Sequence, residues 1–149
     1  MAQQVYQGFF DDLAAGNVLT GADCRAQLVM SNTTIDTEAD AQTISDFSTY
    51  DECDGAGYFE LDLGTVTFTY DSANDRMVLD ADNGDLDGGV GTVNASSRQI
   101  TRVNYYRYVD GTAANDVPWA SIDIGPYDTV GGPVDITINT TGILYLGQP

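Results

Sequence analysis

Histidine and lysine do not occur in this chain, and arginine occurs only five times. Their absence excludes Ser-His-Asp and Cys-His nucleophilic sites, Schiff bases and P-loop phosphate binding, because each needs an imidazole or an amine. Twenty Asp and three Glu stand against the five Arg, giving a formal net charge of −18. Phosphate backbones are bound by neutralising them with Lys and Arg, so a nucleic-acid partner is rejected. Cysteine is scarce too: Cys24 and Cys53 lack CxxC spacing and have no His with which to complete a zinc site. No run of 18 apolar residues is present, and MAQQVYQGFF has neither the basic flank nor the apolar core of a signal peptide. No membrane partner is expected, and synthesis as a soluble cytosolic chain is. Buried free thiols are therefore favoured over a disulfide, and the Asn-x-Ser/Thr triplets at Asn32, Asn94 and Asn139 read as chance.

What remains is enough to fold. The chain has 149 residues, 42% of them hydrophobic and 10% aromatic, too apolar for a disordered acidic tail. One domain spanning 1–149 should bury roughly 68–70% of its unfolded surface. Its charge suits a saline environment, where self-repulsion is screened within about 3 to 8 Å.

Val5, Phe9 and Leu13 recur every four residues, with Gly16 where a C-cap belongs, which predicts one short amphipathic helix over Gln3 to Ala15. Beyond it, turn-forming clusters separate short β-branched or aromatic runs. These predict strands at Cys24–Ser31, Tyr58–Tyr70, Arg76–Ala81, Arg98–Val109, Pro118–Ile124, Val134–Asn139 and Ile143–Leu146. The expected fold is mainly β: an antiparallel β-sandwich, jelly-roll or Ig-like, with one N-terminal helix. Gly64 breaks the alternation of Phe59, Leu61 and Leu63 and is expected to move the strand between sheets. Tyr70–Arg76 reads as a hairpin turn that places Met77 and Leu79 in the core. Ser31–Asp54 and Asp80–Ser97 read as long loops carrying binding or assembly contacts.

Chemistry-bearing groups are few. Asp80 to Gly89 alternates oxygen ligands as a calcium loop does, but its glycine falls at position five and Gly91 stands where an EF-hand has its bidentate Glu. It reads as a solvated turn rather than a specific calcium site. Glu38, Glu52 and Glu60 allow a carboxylate pair in principle, yet no spacing singles one out, so no catalytic residue is assigned. No cofactor or metal ligand is assigned either. Tyr105, Tyr106, Tyr108 and Trp119 would form a platform in a sugar-binding module, but aromatic rings in strands are more often core and cross-strand packing. Arg98, Arg102 and Arg107 fall in one strand region and are expected to pair with Asp on a neighbouring strand or subunit.

An F-x-x-x-L-x-x-G helix is present as Phe9, Leu13 and Gly16, and an L-V-x-S strand end as Leu28, Val29, Met30 and Ser31. An acidic loop follows through Ile44-Ser45-Asp46 and the turn Glu52 to Tyr58. Then come the hairpin from Thr65-Val66-Thr67 to Val78-Leu79-Asp80-Ala81-Asp82, the aromatic stretch Tyr105 to Thr112, Ile122 to Gly125, and a terminal Gly142 to Leu146. In this order the motifs resemble a family of small virion proteins of tailed bacteriophages, and Asn83–Ser97 departs from that family's pattern, having neither the Trp nor the basic residues usual there.

The resemblance implies a non-enzymatic capsid decoration or cement protein on the outer surface of the virion, made in the host bacterial cytoplasm, with the major capsid protein as partner. A homo-oligomer, trimer or dimer, is expected because pairing hides exposed strand edges. The alternatives are a tail or fibre component and, from another class, a carbohydrate-binding module.

Overall fold

In the computed structural model, which describes residues 3–18, 21–55, 58–81, 84–86, 98–127, 134–136 and 143–147, the chain does not begin as a helix. Gln3–Val5 forms a short strand, β1, and the helix α1 spans only Gln7–Ala15. The helical spacing of Val5, Phe9 and Leu13 is real, but β1 pairs antiparallel with Ser121 and its neighbours, so those backbone groups are taken by a sheet. Helix entry at Tyr6 has no side-chain cap. The first-turn N–H groups of Gln7 and Gly8 instead donate to the carbonyls of Ala39 and Ala41, at 2.8 and 3.0 Å. At the other end Gly16 adopts the left-handed conformation (φ 78°) and donates to Leu13 O, closing the helix as its sequence predicts.

All seven predicted runs carry strands. They are β2 (Asp23–Met30), β3 (Leu61–Thr65), β4 (Thr67–Asp71), β5 (Arg76–Asp80), β7 (Ile100–Arg107), β8 (Val117–Tyr127), β9 (Val134–Ile136) and β10 (Leu144–Gly147). β6 (Gly84–Leu86) was not anticipated and pairs with β9. A five-stranded sheet runs β1-β8-β7-β2-β3 and a three-stranded sheet runs β10-β5-β4, every pairing antiparallel. The Tyr58–Tyr70 run does divide, β3 staying in the first sheet and β4 starting the second, but the break falls at Val66; Gly64, at φ 68°, lies inside β3, where the register with β2 shifts. Pro118 has no N–H to give, and it lies on β8 beyond the residues that β1 pairs.

The main core lies between the two sheets and under α1, with Phe9, Leu28, Leu63, Leu79, Tyr105 and Trp119 at its centre. Of the two side chains expected there from β5, Leu79 is buried and Met77 only half-buried. A second apolar cluster covers the opposite face of the five-stranded sheet. Ile35, Ala41, Ile44 and Phe47 from the Ser31–Asp54 segment pack there on Tyr6, Val29 and Tyr106. β2 and β7 are thus covered on both faces, which explains why their interiors read as nearly continuous buried runs.

Gly8 sets how closely α1 approaches β8. A Cβ at this position would lie 2.9 Å from each of the carbonyl oxygens of Gln42 and Pro118 and 2.7 Å from Val117 Cγ1. Ala elsewhere in a helix stabilises by about 0.5–1 kcal/mol relative to Gly, but here two backbone groups would have to move. Gly8→Ala is therefore expected to destabilise by about 1–3 kcal/mol, the usual range for overpacking. Thermal denaturation checks this, and an unchanged or higher Tm would mean that the helix lifts freely from the sheet.

Candidate functional site

The alternation of β2 and β7 sends Arg25 and Gln27, and Arg102, Asn104 and Tyr106, to the face opposite the main core. Gln27, Arg102 and Asn104 are buried there. Arg25 stands opposite Tyr106, and Gln27 opposite Asn104. The segment after Tyr50 runs back alongside β2, with Met30 N donating to Asp51 O and Cys53 N to Leu28 O. This places Glu52 beside Glu60, which precedes β3.

The Gln27 amide bridges the two carboxylates, donating from Nε2 to Glu52 Oε2 (3.3 Å) and Glu60 Oε1 (2.8 Å). The Tyr50 hydroxyl donates to Gln27 Oε1 and accepts from Asn104 Nδ2 at 3.0 Å. The Tyr58 hydroxyl donates to Glu52 Oε1 at 2.9 Å and accepts from Leu28 N. Arg25 reaches Glu60 at 3.5 Å, and its guanidinium lies 3.3 Å above the centroid of the Tyr108 ring, a cation–π contact. Burial pushes the Glu52 carboxyl up to about 7; the Tyr58 hydrogen bond opposes this and the neighbouring Glu60 charge adds to it. Burial, then the Glu52 charge, raises the phenols of Tyr50 and Tyr58. The seam can therefore hold or release a proton near neutral pH through Glu52.

Sequence reasoning named Glu38, Glu52 and Glu60 without grounds for a pair. The fold joins Glu52 to Glu60 and sends Glu38 elsewhere, to accept from Thr34 Oγ1 at 2.6 Å and Ser48 N at 2.8 Å within the loop. Gln27, Tyr50, Tyr58 and Asn104 were missed. The available signal was amide residues inside the apolar strands Asp23–Met30 and Ile100–Arg107, since buried polar side chains require partners.

The three arginines do pair with aspartates, though not with strand aspartates. Arg98 clamps Asp51 and Asp54, Arg102 meets Asp36 at 3.4 Å, and Arg107 makes a two-pronged contact with Asp12 on α1 at 2.7 and 2.8 Å. Two of the three thus fasten the Ser31–Asp54 segment. Further anchors are the bonds from Ile44 N and Ser45 N to the carbonyls of Asp116 and Ala113, while the Asp46 carboxylate holds the segment's own turn by accepting from Gln42 N and Thr43 N. The segment expected as a long loop lies over its own sheet, because its few apolar residues recur every third position from Ala41 to Tyr50 and pack on the strands.

Tyr105, Tyr106 and Trp119 are buried and Tyr108 lies under Arg25, so these rings present no common open platform. Trp119 Nε1 donates to Asp12 at 2.9 Å. Cys24 and Cys53 are buried free thiols, both in the main core. Of the Asp80–Gly89 loop, Asp80 ends β5 and Gly84–Leu86 forms β6, while Asp82, Asn83 and residues 87–97 lie outside the described residues. Among the described residues no three Asp, Glu or Cys side chains converge as metal ligands would, and no helix is long and apolar enough to cross a membrane. No protein-family model, curated protein or solved structure matches the chain.

Proposed function

We propose that this chain is a non-enzymatic structural protein of a tailed-phage virion, a decoration or cement protein that binds the major capsid protein on the outer shell and stiffens it. The reading starts from the order of phage-like motifs along most of the sequence. The observation that carries it further is where the chain's few cations go: Arg98, Arg102 and Arg107 all fasten the long loop or the helix to the sheet. A cement protein transmits load between capsomers, which calls for segments that do not yield and for wide contact surfaces rather than a deep cleft. The pinned loop and the double-covered sheet meet the first need. The exposed outer side of α1, with Phe10 at 45% exposure, offers part of the second.

Quantitative mass spectrometry of purified virions tests this. The expected result is a copy number comparable to that of the major capsid protein. A few copies per particle would assign the chain to the tail or fibre, and its absence from the particle would overturn the virion reading.

A further inference from the structure

We propose that the free edge of β4 is a self-association surface, at which two copies of this chain pair antiparallel about a two-fold axis through Thr69 and join their three-stranded sheets. Unpaired strand edges present rows of N–H and C=O groups that a second strand can satisfy, and proteins that remain monomeric usually blunt them. The edges of the five-stranded sheet are less available. Among the described residues, β1 has only three residues and β6 lies against β3.

β4 pairs with β5 on one side, and among the described residues nothing pairs with its other side. Its sequence, Thr67-Phe68-Thr69-Tyr70-Asp71, contains no Pro, Lys or Arg, and its register with β5 runs without a bulge. Thr67, Thr69 and Tyr70 are exposed, Tyr70 at 59%.

The strand is complementary to itself in one register. Centred on Thr69, antiparallel pairing sets Thr69 against Thr69 of the second copy, Phe68 against Tyr70, and Thr67 against Asp71. Thr–Thr and aromatic–aromatic are favourable cross-strand pairs, and no like charges stand opposite one another. The single charge on the strand, Asp71, is already met by Arg76 Nε at 3.0 Å. A symmetric pair of identical patches also closes, so it gives a dimer rather than a fibre. What opposes association is the net charge of −18 on each copy. That repulsion acts at longer range than the strand contact, so salt should favour the dimer as the screening length falls from about 10 Å at 0.1 M to about 3 Å at 1 M.

Sedimentation equilibrium of the full chain at 0.1 M and 1 M NaCl is the test. The expected result is a monomer–dimer equilibrium that shifts toward dimer in 1 M salt. Thr69→Asp places like charges directly opposite and should weaken association about tenfold or more. Thr69→Arg alone should do the same, and an equimolar mixture of the two variants should restore pairing. Thr69→Cys should oxidise to a covalent dimer while Ser72→Cys, in the adjoining turn, does not; Cys24 and Cys53 are buried and do not compete. Circular dichroism establishes that each variant is folded. A monomer under all conditions, a dimer indifferent to both charge variants, or equal cross-linking at Ser72 would overturn the proposal. None of these outcomes bears on copy number in virions, so this proposal and the virion reading fail separately.

Discussion

Asp12→Ala is expected to destabilise the protein by about 3–5 kcal/mol, the cost of removing one partner from a buried charge pair. Asp12 is 5% exposed and accepts from Arg107, Trp119 Nε1 and Asn17 Nδ2. Truncation leaves the indole N–H in the core and the guanidinium beneath the helix without an acceptor, and it loosens a polar contact that ties α1 to both β7 and β8. Asp12→Asn should fall between, since one amide oxygen still accepts while the amide nitrogen opposes a donor. The pH dependence distinguishes charge from packing. Burial pushes the Asp12 carboxyl up, but the hydrogen bonds from Arg107, Asn17 and Trp119 and the Arg107 charge outweigh it and hold the group below the ordinary 3.8. Its folded pKa is depressed, so its stabilisation is present above the unfolded value and is lost as pH falls through the folded one. Chemical denaturation of wild type and Asp12→Asn should therefore differ most at neutral pH and converge in strong acid. A constant difference at all pH would mean that shape rather than charge is lost.

Glu52→Gln is expected to have the opposite sign. The folded pKa of Glu52 lies near 7, above its ordinary 4.5, so the folded state binds the proton more tightly than the unfolded chain. Between about 4.5 and 7 this group makes the fold less stable as pH rises, and above 7 the whole penalty, about 3 kcal/mol at most, is in force. A neutral amide removes it. The groups near Glu52 include the Gln27 amide, the Tyr58 and Tyr50 hydroxyls and the Glu60 carboxylate, with Arg98 reaching its backbone carbonyl at 3.5 Å. Glu52→Gln should therefore raise Tm above wild type at pH 8, and the gain should vanish below about pH 5. A loss of stability at pH 8 would mean that the bridge from Gln27 needs a carboxylate more than the seam resents its charge.

Local chemistry was legible in the sequence. Gly16 ends the helix because a residue without Cβ enters the left-handed region at no cost, and Gly64 adopts the same region within β3, two residues before the break at Val66. The turn from Tyr70 to Arg76 closes a hairpin through Asp71 and Asn74. Each of these is decided within a few residues. The helix start was misread because β1 and α1 share one apolar period, and only the sheet partner distinguishes them.

Composition, turn residues and alternation determined by themselves that this is a mainly β chain with one short helix, a broken Tyr58–Tyr70 run and no histidine or lysine side chain. The tertiary structure alone decided that the Ser31–Asp54 segment lies over its own sheet, that Arg107 meets Asp12 from 95 residues away, and that Glu52 and Glu60 share one amide from β2. Turn and period signals arise from forces acting between near neighbours in the chain. Which strand lies beside which, and so which charge meets which, depends on how whole faces are buried together, and no local spacing records that.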